Sequence, residues 1–479
     1  MSKGVTRLAI EALGWSYACV AIRIAVQASS GILLAHMLGP HPFGLVATAW
    51  ALVGVGSQFV DLGFSAALVQ QREITDRDVR YAFTVQLAIG CVLAVLFGLA
   101  AGVVASLLRD PGLTAAIRWL CPALIAQAFG QTAHALLRRR LDLKSGQISQ
   151  TAGVIAGYAL VAIPMATFTG LATLSLALGI VAQILVSSVW AYAVVRHPLT
   201  PAWRPDGGLA AFGLKVTGTN LVNWLIASLD SLVMSRAFGT SAVGLYNRAQ
   251  SIAVTPLSTL VGVVQSVLFP AYSRRAEDRT AAERAYLTSI GATMLAVLPV
   301  VAVVAAVPRP IVAGLLGEAW LPAAPLTAAL ACAMPWQAVA GLSGPILWSR
   351  DQVQRELRIQ VFALILFGAL LSLAANRSPL AIAGCFCAVS AVRAVAMGAC
   401  VGLPLRRLVE VLRTPLAFSL IAGACALLGD HLFDGHLAGI VALVGVGLGL
   451  GAVVLRGLVE IEWRIYRAVF AAGSAGGTR

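Results

Sequence analysis

Fourteen stretches of predominantly apolar residues, each long enough to cross a bilayer as a helix, occupy almost the whole chain and restrict what it can fold into. They begin near Trp15, Phe43, Tyr81, Leu113, Ile148, Leu171, Ala211, Ala242, Tyr286, Pro322, Leu357, Pro379, Pro415 and His436. A helix needs about 20 apolar residues to span the hydrocarbon layer. The gaps between them, even near Arg196 to Ala210 and Pro270 to Ala285, are too short for a soluble domain. A composition of 59% hydrophobic and 11% charged residues lies far outside the soluble globular range. The expected fold class is therefore an all-α integral membrane protein of about 14 transmembrane helices.

One of these stretches occurs twice. Ile32 to Ala51 reads ILLAHMLGPHPFGLVATAWA and Leu232 to Ser251 reads LVMSRAFGTSAVGLYNRAQS, aligned without a gap. Gly39 falls on Gly239, Gly44 on Gly244, Leu45 on Leu245 and Ala49 on Ala249. Each copy reads as a helix end, a four-residue turn and a new helix, with glycine at the stop. A repeat at this period implies two similar halves. The expected organisation is an N-terminal lobe of six helices over residues 1–200, a C-terminal lobe of six over 201–405, and two further helices with a tail over 406–479.

The net charge of +14 would suit a nucleic-acid partner, but its distribution points elsewhere. Alternate turns carry Arg72, Arg77 and Arg80, then Arg138, Arg139, Arg140 and Lys144, then Arg274, Arg275, Arg279 and Arg284; the intervening turns carry only Arg109, Arg118, Arg236, Arg309 and Arg377. This is the positive-inside bias, and it places both termini in the cytoplasm. The basic residues then face anionic lipid headgroups, and no nucleic acid is expected. The eight cysteines sit inside the apolar segments as small packing residues, so neither a disulfide nor a metal is expected. Met1 to Gly14 is short and leads into a helix too long for a signal core, so no cleavable signal is expected.

Five collinear motifs carry a family resemblance: LGPHPFGLVATA, VDLGFSAALVQQREIT, LDSLVMSRAFGTSAVGLYNRA, PLSTLVGVVQSVLFPAYSR and LLGEAWLPAAP. In order and spacing the chain resembles the Wzx-type polysaccharide and oligosaccharide flippases of the multidrug/oligosaccharidyl-lipid/polysaccharide exporter superfamily, those grouped with colanic-acid-type exporters in particular. The resemblance covers roughly Arg7 to Leu405. It implies a two-lobed transporter of the bacterial inner membrane that moves an undecaprenyl-pyrophosphate-linked oligosaccharide to the periplasmic leaflet, where a polymerase takes it up. A twelve-helix repeat with a site between its halves suits alternating access on general grounds as well.

The residues that could carry this work stand out against the apolar background. Arg23, Arg248 and Arg393 lie within spans, where a charge costs roughly 2.5 to 3.5 kcal/mol and usually faces protein or a wet cavity. Ser16, Arg23, Gln27 and Ser30 share one stripe of the first span, and Arg248, Ser251, Thr255, Ser258, Gly262 and Gln265 one stripe of the eighth. Gln58, Asp61 and Ser65 in the second span, Asn220, Asn223 and Asp230 in the seventh, and Gln127, Gln131 and His134 in the fourth form further polar faces. The expected substrate-binding set is Arg23, Gln27, Gln131, Asn223, Arg248 and Arg393, because a guanidinium binds phosphate oxygens in bidentate fashion at any relevant pH. Asp61 and Asp230 are the candidates for binding a coupling H+ or Na+. Structural readings stay open beside these: Arg248 snorkelling to the surface, Arg23 clamped to Asp61, Asp230 bracing the hairpin. Trp203, Trp320 and Trp463 read as interface anchors, and Trp336 and Trp348 as weaker candidates for stacking on sugar rings.

No GxxxxGK[ST] phosphate loop occurs, so ATP is not the expected energy source, and no cofactor is expected. Three rival functions fit the sequence less well. A multidrug antiporter of the same superfamily would use acidic residues in the first span, where this chain has Arg23 and no carboxylate between Trp15 and Leu38. A peptidoglycan-precursor flippase would carry an acidic residue after the first-span arginine; here Ile24 follows Arg23. A membrane glycosyltransferase, ligase or acyltransferase would need a catalytic cluster, and the short turn holding Asp430, His431, Asp434 and His436 is a poor one. The chain is thus expected not to be an enzyme.

Overall fold

A computed structural model of the protein describes residues 3–71, 74–140, 142–203, 209–258, 261, 279–349, 352–402 and 405–454. Regular structure among them is helical, with no strand. Among the described residues, ten helices are long and apolar enough to cross a membrane, or eleven if the pair Glu318–Ala331 and Met334–Gly344, bent by 43°, counts as one span. Most of the fourteen expected segments coincide with these. The seventh falls on a helix over Leu209–Phe238, and the eighth begins in Thr240–Ala253 and continues outside the described residues. The fourteenth is the shorter apolar stretch Leu437–Val453.

The chain divides into two compact units, Met1–Gly244 and Leu245–Arg479. The first holds α1 (Lys3–Leu38), α2 (Pro40–Asp61), α3 (Phe64–Gln70), α4 (Asp76–Leu108), α5 (Gly112–Arg139), α6 (Leu143–Val154), α7 (Ile163–Thr169), α8 (Ala172–Val195) and α9 (Leu209–Phe238). A π-helical segment, Ile155–Ala162, joins α6 to α7 within one span. α5 is the centre of this unit, packing on α4, α8, α2 and α3. Its buried residues include Ala116, Ala123, Ala126, Ala128, Ala133 and Ala135. Small side chains let neighbouring helices approach closely, which in lipid replaces the hydrophobic drive as the source of packing energy. α4 starts on a capping box: the Asp78 N–H donates to Thr75 Oγ1 at 3.2 Å and the Thr75 N–H to Asp78 Oδ2 at 3.1 Å.

α10 (Thr240–Ala253) runs across the division between the units. The second unit continues with α11 (Arg279–Ala306), α12 (Pro308–Leu316), α13 (Ala324–Ala331), α14 (Met334–Ser349), α15 (Val353–Ala374), α16 (Pro379–Val401), α17 (Leu405–Leu432) and α18 (Leu437–Val454). Tyr286, Ile290, Met294, Leu342, Ile346 and Met397 form its core, and the Tyr286 hydroxyl meets Ser343 Oγ at 2.6 Å. α17 lies along α11 and α18 along α17, so both C-terminal apolar helices pack within this unit. Trp320, expected at the membrane interface, is instead fully buried in the turn Glu318–Ala323, whereas Trp203 is exposed. Trp463 lies outside the described residues.

The repeated motif forms the same device twice, but the turn is one residue rather than four. α1 ends at Leu38 and α2 begins at Pro40, α9 ends at Phe238 and α10 begins at Thr240, and a single glycine separates each pair. Gly39 has φ 70° and Gly239 φ 83°, the half of conformational space that only glycine enters without strain. Gly44 and Gly244 are needed for space instead. A methyl group on Gly44 would lie 1.7 Å from the Thr240 carbonyl oxygen, and one on Gly244 would lie 2.0 Å from that of Pro40. The two hairpin tips therefore meet backbone to backbone. Thr240 Oγ1 donates to Asp110 Oδ2 at 2.5 Å and lies 3.0 Å from His41 Nδ1, holding the same junction. Gly244→Ala is expected to lower the thermal midpoint by several degrees, as overpacking costs roughly 1 to 3 kcal/mol. Gly102→Ala, with nothing within 4 Å of its added methyl, is expected to leave it unchanged or slightly higher. Size-exclusion thermal melts of the two variants check this.

Near the end of α8, His197 sits among Phe83 and Tyr192, with ring centroids 5.1 and 5.2 Å away. Burial pushes its imidazole below the ordinary value, opposed by a hydrogen bond with the Pro198 carbonyl. Its Nε2 is buried with no hydrogen-bond partner among the described residues. A histidine that protonates less readily folded than unfolded contributes stability above its unfolded pKa, about 6.5, which is lost as pH falls further. Melts from pH 7.5 downward should therefore show a loss below about pH 6.5 that is smaller in His197→Phe than in the unaltered protein.

Candidate functional site

A polar cavity of about 410 Å³ lies within the first unit. α1 supplies Arg23 and Gln27, α2 Trp50, α5 Gln127, Gln131 and His134, α6 Gln150, and α8 Gln183, Ser187 and Ser188. The arrangement follows from helix geometry. Residues three and four apart share a face, so a helix whose other positions are apolar turns its polar pairs away from lipid and toward its neighbours. α1 lies against α6, α6 against α8 and α8 against α5, so the lining faces are contiguous.

Among the described residues of this lining, Arg23 carries the only positive charge fixed at neutral pH, and none is a carboxylate. Its Nη1 donates to Gln150 Oε1. A neutral amide holds a guanidinium in place without cancelling its charge, so the cation remains available to an anionic group. Ser187 Oγ lies 3.3 Å from His134 Nε2, tying α8 to α5 across the cavity. Gln131 Oε1 accepts from Ser65 Oγ at 3.5 Å.

The expected site residues fall into three groups. Arg23, Gln27 and Gln131 are brought together in the cavity, with Gln127 and His134. Asp61 lies behind it: its Oδ1 accepts from Ser65 Oγ at 2.5 Å and from Gln86 Nε2 at 3.1 Å, while Gln86 Oε1 accepts from Thr132 Oγ1 at 2.7 Å. Ser65 has one hydroxyl hydrogen, given to Asp61 with Gln131 Oε1 as the alternative acceptor, and the clamp between Arg23 and Asp61 is not formed. Asp230 is fully buried on α9 and accepts from the Ser231 N–H at 2.6 Å. The others do not line the cavity. Arg248 is on α10 and Arg393 on α16, both in the second unit, and the buried Arg393 Nε has no hydrogen-bond partner among the described residues. The side chains of Asn223 and Trp348, and the whole of Gln265, lie outside the described residues. Trp336 is on α14, partly exposed.

Sequence reasoning missed Trp50, Gln150, Gln183, Ser187 and Ser188. A signal existed for Gln183 and Ser187, which interrupt an apolar span one turn apart; Trp50 alone in an apolar helix resembles any core aromatic.

A match to the family described as polysaccharide biosynthesis proteins covers residues 33–325, more than half of the chain. The chain belongs to that family. It is 23% identical over 361 residues to the lipopolysaccharide biosynthesis protein WzxC of Escherichia coli K12, covering 75% of this chain and 73% of WzxC. It is 25% identical over 323 residues to the succinoglycan biosynthesis transport protein ExoT of Rhizobium meliloti, covering 67% and 65%. Among solved structures, the lipid II flippase MurJ in an inward closed conformation superposes with a TM-score of 0.79 over 93% of this chain and 99% of MurJ, at 10% identity. An inward-facing multidrug resistance transporter of the MATE family reaches 0.61 over 84% and 98%, at 16% identity. At such identities the superpositions speak to fold alone. As a member of this family the chain is a multi-pass membrane protein of polysaccharide biosynthesis and transport.

Proposed function

We propose that this protein is a flippase that carries an undecaprenyl-pyrophosphate-linked oligosaccharide from the cytoplasmic to the periplasmic leaflet of the bacterial inner membrane, supplying exopolysaccharide, capsule or O-antigen synthesis. The observation that carries this reading is the cavity itself: an uncancelled guanidinium, Arg23, in a ring of neutral polar side chains on apolar helices. A pyrophosphate finds a charge-assisted donor there. An organic cation meets no carboxylate among the described lining residues, which disfavours multidrug antiport in spite of the shared fold.

The fuller mechanism belongs to the same proposal. Fourteen spans form two six-helix lobes, residues 1–200 and 201–405, with a C-terminal pair over 406–479, and both termini are cytoplasmic. The lobes alternate access around the cargo, and Arg248, Arg393 and Asn223 add contacts from the second repeat and the helix before its hairpin. Asp61 and Asp230 are the candidates for a coupling H+ or Na+; the Ser65 bridge between Asp61 and Gln131 gives Asp61 a route by which its protonation would be felt in the cavity. A polysaccharide polymerase receives the product, membrane lipids surround the protein, and the protein itself performs no covalent chemistry.

Deletion in the native host, with extraction of lipid-linked sugars, tests the proposal. Loss of the surface polymer together with accumulation of undecaprenyl-pyrophosphate oligosaccharide is expected; an unchanged polymer with altered sensitivity to cationic compounds would favour the antiporter. At matched membrane levels, Arg23→Ala should reduce polymer output by tenfold or more, and Arg23→Lys should restore part of it. Normal output from both variants removes Arg23 from the site.

A further inference from the structure

The cavity is richer in amides than holding one phosphate requires. Three helices each present two polar residues one turn apart: Arg23 and Gln27 from α1, Gln127 and Gln131 from α5, Gln183 and Ser187 from α8. With Gln150 from α6, five glutamines surround the space, and no lysine, aspartate or glutamate joins them in the lining among the described residues. The side chains of Gln27, Gln127 and Gln183 make no hydrogen bond among the described residues.

Each primary amide offers two N–H donors beside one carbonyl acceptor. A phosphate or carboxylate only accepts, and would leave the carbonyls of Gln27, Gln127 and Gln183 unused. An ammonium only donates, and would leave the N–H groups unused. A hydroxyl does both, and neighbouring hydroxyls on a ring present donor and acceptor side by side, as the amide does. Unused polar groups in a membrane interior are costly, so the best-matched ligand satisfies both halves of each amide. Trp50 adds an apolar plane with a polar edge to the same lining, suited to the C–H face of a pyranose.

The geometry points to a saccharide subsite: Gln127, Gln131, Gln183 and Ser187, with Trp50, bind uncharged, hydroxyl-rich sugars of the cargo, while Arg23, held by Gln150, takes its phosphate. This deepens the flippase reading and rests on it. Uncharged sugars next to the pyrophosphate are accepted, and an acidic sugar at that position is disfavoured, because the described lining has no second fixed cation to receive it.

The test compares two probes on the full chain in lipid nanodiscs: undecaprenyl diphosphate, and the same lipid carrying one neutral hexose. Affinities are read by native mass spectrometry. The unaltered protein should bind the hexose-bearing lipid about tenfold more tightly, the gain expected of one or two net hydrogen bonds. The Q127L/Q183L double variant should lose that preference while binding the bare diphosphate within about twofold of the unaltered protein, and this retained affinity also reports that it is folded. Arg23→Gln should weaken both lipids by the same factor. Should the double variant fail to fold, Q127A and Q183A singly are each expected to lose part of the preference. Equal binding of the two lipids by the unaltered protein, or an equal loss for both in the glutamine variants, overturns the saccharide subsite and leaves the flippase reading standing. Binding of neither lipid overturns both.

Discussion

A buried amide or carboxylate within the hydrocarbon layer finds its partner in protein or in a wet cavity, because lipid offers none. Much of the first unit follows from that constraint. Gln86, fully buried on α4, joins Asp61 of α2 to Thr132 of α5. Ser65 reaches both Asp61 and Gln131, and Arg23 of α1 reaches Gln150 of α6. Each bond fixes the rotation of a helix about its own axis, which apolar packing in lipid specifies only loosely. Once the rotations are set, the remaining polar faces converge on one space.

The character of that space comes from what is paired with what. Asp61 is satisfied by a hydroxyl and an amide behind the cavity, and Arg23 by an amide at its wall. Had the carboxylate paired with the guanidinium, the two charges would have cancelled and a neutral cavity would remain. Keeping them apart leaves the Arg23 guanidinium charged at the cavity wall and the Asp61 carboxylate behind it, with Ser65 between Asp61 and Gln131. The hairpin tips obey a different constraint. There Gly44 and Gly244 bring backbones into contact, and Asp110, Thr240 and His41 close the junction with polar groups.

The fold class was legible because span length and composition are sufficient for it. The stripes on the first and fourth spans were legible for a related reason: Arg23, Gln27, Gln127, Gln131 and His134 break an apolar background at helical spacing, and few arrangements other than a shared cavity accommodate them. Gln183 and Ser187 have the same spacing, but a single polar pair on a span reads equally as a contact between two helices. The partner of Arg23 was not legible at all. Asp61 is attractive by charge and lies on the neighbouring segment in sequence, yet the acceptor is Gln150, 127 residues away, because α1 packs on α6 and touches α2 less. Trp320 misled for the opposite reason: a tryptophan at the end of an apolar run resembles an interface anchor until the turn around it is seen to bury it.

The sequence by itself determined that the chain is a bundle of apolar helices, that its hairpin motif is used twice, and which polar residues each helix must turn inward. These are local properties, set by hydrophobicity, by the 3.6-residue period and by glycine at two positions of positive φ. Only the tertiary structure decided which inward faces meet, that Arg23 is held by an amide rather than neutralised by Asp61, and that five glutamines and Trp50 surround the same volume. Those depend on which helices are neighbours, and adjacency among many helices of similar length and apolarity is settled by close packing and by hydrogen bonds over long sequence separations, neither of which a linear pattern encodes.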